Sequence, residues 1–139
     1  MWLMSSDPYS QAQILLIKAA EDEKALQADN PESVLGFHAQ QAVEKLMKAL
    51  LSELSVPYQR THGLGKLHAL LMAAGEMLPP TPLALSELED FAVVYRYDLQ
   101  FQFAPPEKAD LIETVRLIRE YVVNRISALA AAPSPPPLQ

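Results

Sequence analysis

The stretch from Pro31 to Leu54, PESVLGFHAQQAVEKLMKALLSEL, restricts the fold of this chain more than any other. Leu35, Ala39, Ala42, Leu46, Leu50 and Leu54 recur at helical spacing, and Val43 and Met47 widen the stripe. Asn30 is suited to cap the helix start, and Pro31 to its first turn, where a missing N–H costs nothing. His38, Gln41, Lys45, Lys48 and Ser52 follow one another by three or four on a different face. The pattern predicts a long amphipathic helix, and its alanines let neighbouring helices come close. The polar face has two readings. It is either a solvated surface, or a groove in which His38, Gln41, Glu44 and Lys48 meet a ligand or partner.

The rest of the chain repeats the helical pattern. A first helix is expected from about Pro8 to Ala28, capped by Asp7. Ala12, Leu15, Leu16, Ala19 and Leu26 are its inner stripe, and Lys18, Glu21, Asp22 and Lys24 its wet side. Asp29-Asn30 should close it into a tight antiparallel hairpin with the second helix. Pro57 ends the second helix near Ser55. A loop with Tyr58, Arg60 and His62 leads to a third helix, Leu64 to about Leu78, which Thr61-His62 would cap and Pro79-Pro80 close. Within it, Gly65 and Gly75 should each weaken the helix by up to about 1 kcal/mol relative to alanine. Thr81-Pro82 repeats the cap-plus-proline signal for a fourth helix to about Leu99, with Leu85, Leu88, Ala92 and Tyr95 as its stripe. Gln100 to Ala104 alternates like a strand but has no sheet to join, so a loop or ragged helix end is expected. The last helix runs from about Glu107 to Leu129 on Leu111, Val115, Ile118, Val122, Ile126 and Leu129.

The expected class is therefore all-α, an antiparallel bundle of four to five helices in one domain over residues 8–129. A disordered tail of alanine and proline would occupy residues 130–139. Five such helices carry more apolar surface than a small monomer usually hides, so a homodimer is expected.

Totals narrow the function. A net charge of −6, from 17 acidic and 11 basic residues, argues against a surface that grips nucleic acid everywhere. A small basic groove remains compatible with it. The chain has no cysteine, which removes disulfides and thiolate metal sites and suits a reducing compartment. Met1 to Met4 is apolar but too short for a signal peptide or span, so a soluble cytoplasmic protein with no membrane association is expected. Three histidines, His38, His62 and His68, form no compact ligand set, and no metal or cofactor is expected. The acidic cluster Glu87, Glu89, Asp90 reads as an ordinary acidic helix start.

Tyr95-Arg96-Tyr97-Asp98 stands apart. An arginine between two tyrosines at the end of an apolar helix needs an acidic or carbonyl partner if buried, and Glu44 or Asp98 is a candidate. Alternatively, Arg96 is presented to a phosphate, with the tyrosines beside it stacking on a base.

Three blocks together resemble the HEPN family, the higher eukaryote and prokaryote nucleotide-binding domain. They are Phe37 to Leu51 (FHAQQAVEKLMKALL), Thr61-His62-Gly63-Leu64, and Tyr95-Arg96-Tyr97, and their spacing covers most of Ser10 to Leu129. The resemblance implies an all-helical bundle that usually dimerises, of the small prokaryotic type that pairs with a minimal nucleotidyltransferase in toxin–antitoxin or stress systems. Active toxins of the family are metal-independent endoribonucleases whose motif joins an arginine, a polar residue and a later histidine. Arg96 matches the arginine. Tyr97 stands where Asn, Asp or His is usual, and no histidine follows Arg96. The resemblance thus implies the non-nuclease branch: a subunit binding a nucleotide or RNA phosphate through Arg96, Tyr97, His38, Gln41, Glu44 and Lys48, with Tyr95, Asp98 and His62 in structural places. A ribonuclease with a displaced base at His38 or His62, and a ligand-free assembly protein, are the alternatives.

Overall fold

The computed structural model describes residues 9–60, 63–96 and 106–132, with residues 91–96 described by backbone only. Among the described residues there are five helices and no strand: α1 (Gln11–Gln27), α2 (Glu32–Glu53), α3 (Leu64–Ala73), α4 (Leu85–Arg96) and α5 (Lys108–Ala131). The all-α bundle expected from the periodicity is the observed class. No helix among the described residues is long and apolar enough to cross a membrane.

Helix α2 packs against α1, α3, α4 and α5. Ala39, Ala42, Val43, Met47, Ala49, Leu50 and Leu51 are wholly inaccessible to solvent. Leu26 from α1, Leu64, Leu67 and Leu71 from α3, Leu88 from α4 and Val115 and Val122 from α5 close the core around them. The alanines put no bulk between α2 and its neighbours, so one helix can be the shared wall of four contacts. In α5 the predicted stripe is buried from Leu111 to Val122, whereas Ile126 and Leu129 are partly covered as the helix leaves the bundle.

Several ends differ from expectation, each for a local reason. Helix α1 begins at Gln11, where Ser10 forms a capping box with Gln13 (3.1 and 2.8 Å); the expected cap, Asp7, lies outside the described residues. Asn30 does not cap α2. Its side-chain amide donates to the Ala25 carbonyl at 2.9 Å and so closes α1, while Pro31 is the residue preceding α2.

Helix α3 stops at Ala73 rather than Leu78. Gly75 adopts φ +88°, and Glu76 N–H reaches back to Leu71 O (2.9 Å) while Gly75 N–H reaches Met72 O (3.0 Å). That pair of bonds is the Schellman ending, so Gly75 terminates α3 instead of weakening its interior. Helix α2 ends the same way at Ser55 (φ +58°), with Val56 N–H on Leu51 O and Ser55 N–H on Ser52 O. Serine holds this left-handed position against its own steric preference.

Helix α4 begins at Leu85, later than Thr81-Pro82 suggested, because Thr81 Oγ1 turns to the Leu83 carbonyl (2.6 Å) and Glu87 reaches back to Ala84 N–H (3.4 Å). The expected extension to Leu99 and the Gln100 to Ala104 segment lie outside the described residues. Helix α5 continues to Ala131, two residues past its expected end and into the predicted tail.

Beyond α3, Glu76 ties the turn to α5. Its nearly buried carboxylate accepts two bonds from Arg125 (2.8 and 2.9 Å) and one from the Tyr121 hydroxyl (2.7 Å), and Met77 N–H donates to that hydroxyl (3.0 Å). The Arg125 hydrogen bonds hold the Glu76 carboxyl below the usual carboxylate range, opposed by burial. Burial, then the bond to Glu76, pushes the Tyr121 phenol up.

Two predictions follow from these ends. Ser55→Gly should raise stability by up to about 1 kcal/mol, read as a higher denaturant midpoint, because glycine removes the left-handed strain. Glu76 has a folded pKa below its unfolded one. Its contribution should therefore be complete above the unfolded value and fall away as pH drops through the folded value. Glu76→Gln should cost about 1–3 kcal/mol at neutral pH. It should also flatten the acid side of a stability-against-pH curve, measured by urea unfolding.

Candidate functional site

The outward side of α2 carries the sequence-predicted ligand residues. Phe37, Gln41, Glu44 and Lys48 follow one another by four, three and four residues, so they form one strip along the helix. Two polar clusters border it.

On the α1 side, Asp22 is buried, 7% exposed, although it was expected on the wet face of α1. It lies three residues beyond Ala19 and four before Leu26, both buried, so helical geometry carries it inward. Its carboxylate is satisfied from α2: His38 Nδ1 lies 2.7 Å from Oδ1, and Lys45 Nζ lies 2.5 Å from Oδ2. A carboxylate only accepts, so the His38 proton sits on Nδ1 and, in the neutral ring, Nε2 keeps its lone pair. Nε2 has no partner among the described residues, and the ring stays about a quarter exposed, at 27%. Phe37 meets it edge-on at 5.3 Å between centroids.

On the α4 side, Gln41 Nε2 donates to Gln40 Oε1 (2.8 Å), and Gln40 Nε2 donates to Glu89 Oε1 (3.3 Å). Glu89 Oε1 also accepts Leu64 N–H at 3.0 Å. Glu89 is therefore more than part of an acidic helix start. It stands at the N-terminus of α3, whose capping residue is Gly63 without a side chain to offer. A Cβ at Gly63 would stand 3.0 Å from Glu89 Oε2, so a side chain there would displace the carboxylate by a few tenths of an ångström. One carboxylate thus joins α2, α3 and α4. The expected cap, Thr61-His62, lies outside the described residues.

Along the strip, Lys48 Nζ pairs with Glu44 Oε2 at 3.3 Å and stands 5.8 Å from the Tyr58 ring centroid. Tyr58 in turn shares a hydrogen bond with Ser52 Oγ at 3.1 Å. Side-chain exposures of 14% for Lys48 and 20% for Glu44 rule out the freely solvated face considered from sequence. The lysine that neutralises Glu44 is one helical turn away on the same helix. Gln40 and Glu89 link α2 to α4 one to two turns before Arg96, whose own expected partner lies outside the described atoms.

The structure therefore brings His38, Gln41, Glu44 and Lys48 onto one side of α2. Arg96 is the last residue of α4, a helix packed against α2, and Tyr95 precedes it; the side chains of both are beyond the described atoms. Tyr97, Asp98 and His62 lie outside the described residues. Sequence reasoning missed Asp22, Gln40 and Glu89 as members of the site and Lys45 as the partner of Asp22. For Asp22 the signal was present, since its position continues the inner stripe of α1. For Glu89 none was, because its partners come from two other helices. Among the described residues no group of three or more His, Asp or Glu is arranged to hold a metal ion.

A bundle built around an alanine-rich central helix, with a polar strip along one of its sides, defines an all-α domain. The family model of the HEPN domain matches residues 11–126. The chain belongs to the HEPN domain family, which places it among helical domains of nucleotide- or RNA-related function. No curated protein and no solved structure matches it.

Asp22→Asn should lower stability by about 1–3 kcal/mol, because the amide keeps one acceptor oxygen and no charge where Lys45 and His38 share a buried carboxylate. It should also change the imidazole tautomer. In the parent protein, nitrogen-detected NMR at a pH where His38 is neutral should show the proton on Nδ1, and the variant should shift toward Nε2–H.

Proposed function

We propose that this chain is a non-enzymatic HEPN subunit that binds a nucleotide or an RNA phosphate. It would act beside a minimal nucleotidyltransferase in a two-component, toxin–antitoxin-like system. The observation that carries the reading is the side of α2 itself: His38, whose Nε2 has no partner among the described residues, Gln41, and Lys48, held half-buried in fixed positions. Groups already immobilised lose little entropy when a ligand arrives, which favours binding. Arg96, at the end of the neighbouring helix, is assigned the phosphate contact, with Tyr97 beside it. An arginine fork fits phosphate oxygens in pairs, as a lysine does not. A homodimer and a cytoplasmic location belong to the same proposal, the second because a chain without cysteine suits a reducing compartment.

The acidic total charge supports a local site over general nucleic-acid coating. One observation also favours a second reading. Asp22 holds His38 in the tautomer that a general base requires, so a metal-independent ribonuclease with His38 as the displaced base has a structural argument. In that reaction Nε2 takes the 2′-hydroxyl proton as the 2′-oxygen–phosphorus bond forms. The phosphorus–5′-oxygen bond breaks, and the leaving oxygen takes a proton from water.

The test is affinity purification of the tagged protein from its native cells, followed by mass determination of the intact complex. A co-purifying nucleotidyltransferase or bound nucleotide is expected. Arg96→Ala and Lys48→Glu should each weaken capture of labelled RNA or nucleotide by tenfold or more. Metal-free RNA cleavage lost in His38→Gln would favour the ribonuclease instead. A bare self-dimer with no ligand and no RNA cleavage would remove both readings and leave assembly as the role.

A further inference from the structure

Tyr58 is held unusually firmly for a loop residue. Its hydroxyl shares a hydrogen bond with Ser52, and the Lys48 ammonium stands 5.8 Å from the ring centroid. The same residue lines an open groove of about 580 Å³ between the loop and α3, together with Pro57, Gln59, Lys66, Ala69 and Leu70. That volume falls within the range of small-molecule sites and suits one nucleotide rather than a folded nucleic acid.

The chemistry of the lining is one-sided. Pro57, Tyr58, Ala69 and Leu70 offer apolar and aromatic surface, and Gln59 offers an amide with both donor and acceptor. Lys66 is the charged member among the described residues, it is exposed, and no carboxylate among them lines the groove. Among the described residues no acid pairs with Lys66. In a chain of net charge −6, a groove whose described charged member is a lysine favours an anion over a cation. A second groove, of about 530 Å³ between α3 and the start of α4, is the opposite case: Glu87 lines it, and its charge disfavours an anion.

We propose that the Tyr58–Lys66 groove is a mononucleotide subsite, in which the base lies against Tyr58 and the phosphate meets Lys66. Lys48 connects it to the strip on α2, because the same ammonium bonds Glu44 and stands over Tyr58. The inference rests on the ligand-binding reading above and adds the place and chemistry of base recognition. An aromatic ring fixed before binding is an efficient stacking platform, since the base pays no cost to order it.

The full-length protein is titrated with adenosine monophosphate, adenosine and inorganic phosphate, and followed by NMR of the tyrosine rings and of the Ala69 and Leu70 methyl groups. The monophosphate should perturb Tyr58, Ala69 and Leu70 at saturable concentration. It should bind at least tenfold more tightly than adenosine or phosphate alone. Tyr58→Leu and Lys66→Glu should each weaken it by roughly tenfold, in line with the loss of one stacked base or one charge contact. Lys66 is exposed, so its variant reports on binding without threatening the fold. Saturable binding that leaves the Tyr58, Ala69 and Leu70 signals unmoved, with both variants binding normally, would overturn this inference and leave the α2 reading standing. Absence of any saturable shift would overturn the subsite and count against nucleotide binding at α2 as well.

Discussion

The structure depends on burying one helix from every side. Helix α2 touches α1, α3, α4 and α5, and from His38 to Leu54 none of its residues is fully exposed. A helix in that position cannot leave its polar side chains to water, so each must find a partner in the protein. His38 and Lys45 find Asp22, Gln40 finds Glu89, and Lys48 finds Glu44. The polar side of α2 is consequently a set of positioned groups rather than a solvated surface.

Those partners also fasten the bundle. Asp22 joins α1 to α2, and Glu89 joins α2, α3 and α4 through a single carboxylate. Glu76 joins the end of α3 to α5. Lys108 donates to the Ala28 carbonyl at 3.0 Å, and Arg119 pairs with Glu23, so α5 is also fastened to α1. Apolar packing supplies most of the driving force, and directional bonds meet Asp22, Gln40, Glu76 and Thr114, the buried polar side chains among the described residues. A rigid frame of this kind favours binding. It holds His38, Gln41, Lys48 and Tyr58 in place before any ligand arrives.

Much of this was legible in the residues. The apolar stripes of α2 and α5 lie where the spacing put them, because a buried helix face repeats every three to four residues whatever surrounds it. The placement of His38, Gln41, Glu44 and Lys48 on one side of α2 followed from the same rule. Helix ends were less legible. Asn30 serves the helix before it instead of the one after it, and Gly75 stops a helix that the later prolines were expected to close. Both residues have chemistry compatible with either role, and the choice is made by backbone angles that spacing does not encode.

By itself the sequence determined the class, the central helix and the polar strip, since each depends on contacts within a few residues. Only the tertiary structure decided what the polar residues do. Asp22 became a buried acceptor for α2, and Glu89 became the N-terminal partner of α3. Tyr58 became the fixed wall of a groove. Their partners lie 16 and 23 residues away for Asp22, and 25 and 49 for Glu89. Pairings over such separations arise from how helices are brought side by side, which local periodicity does not specify.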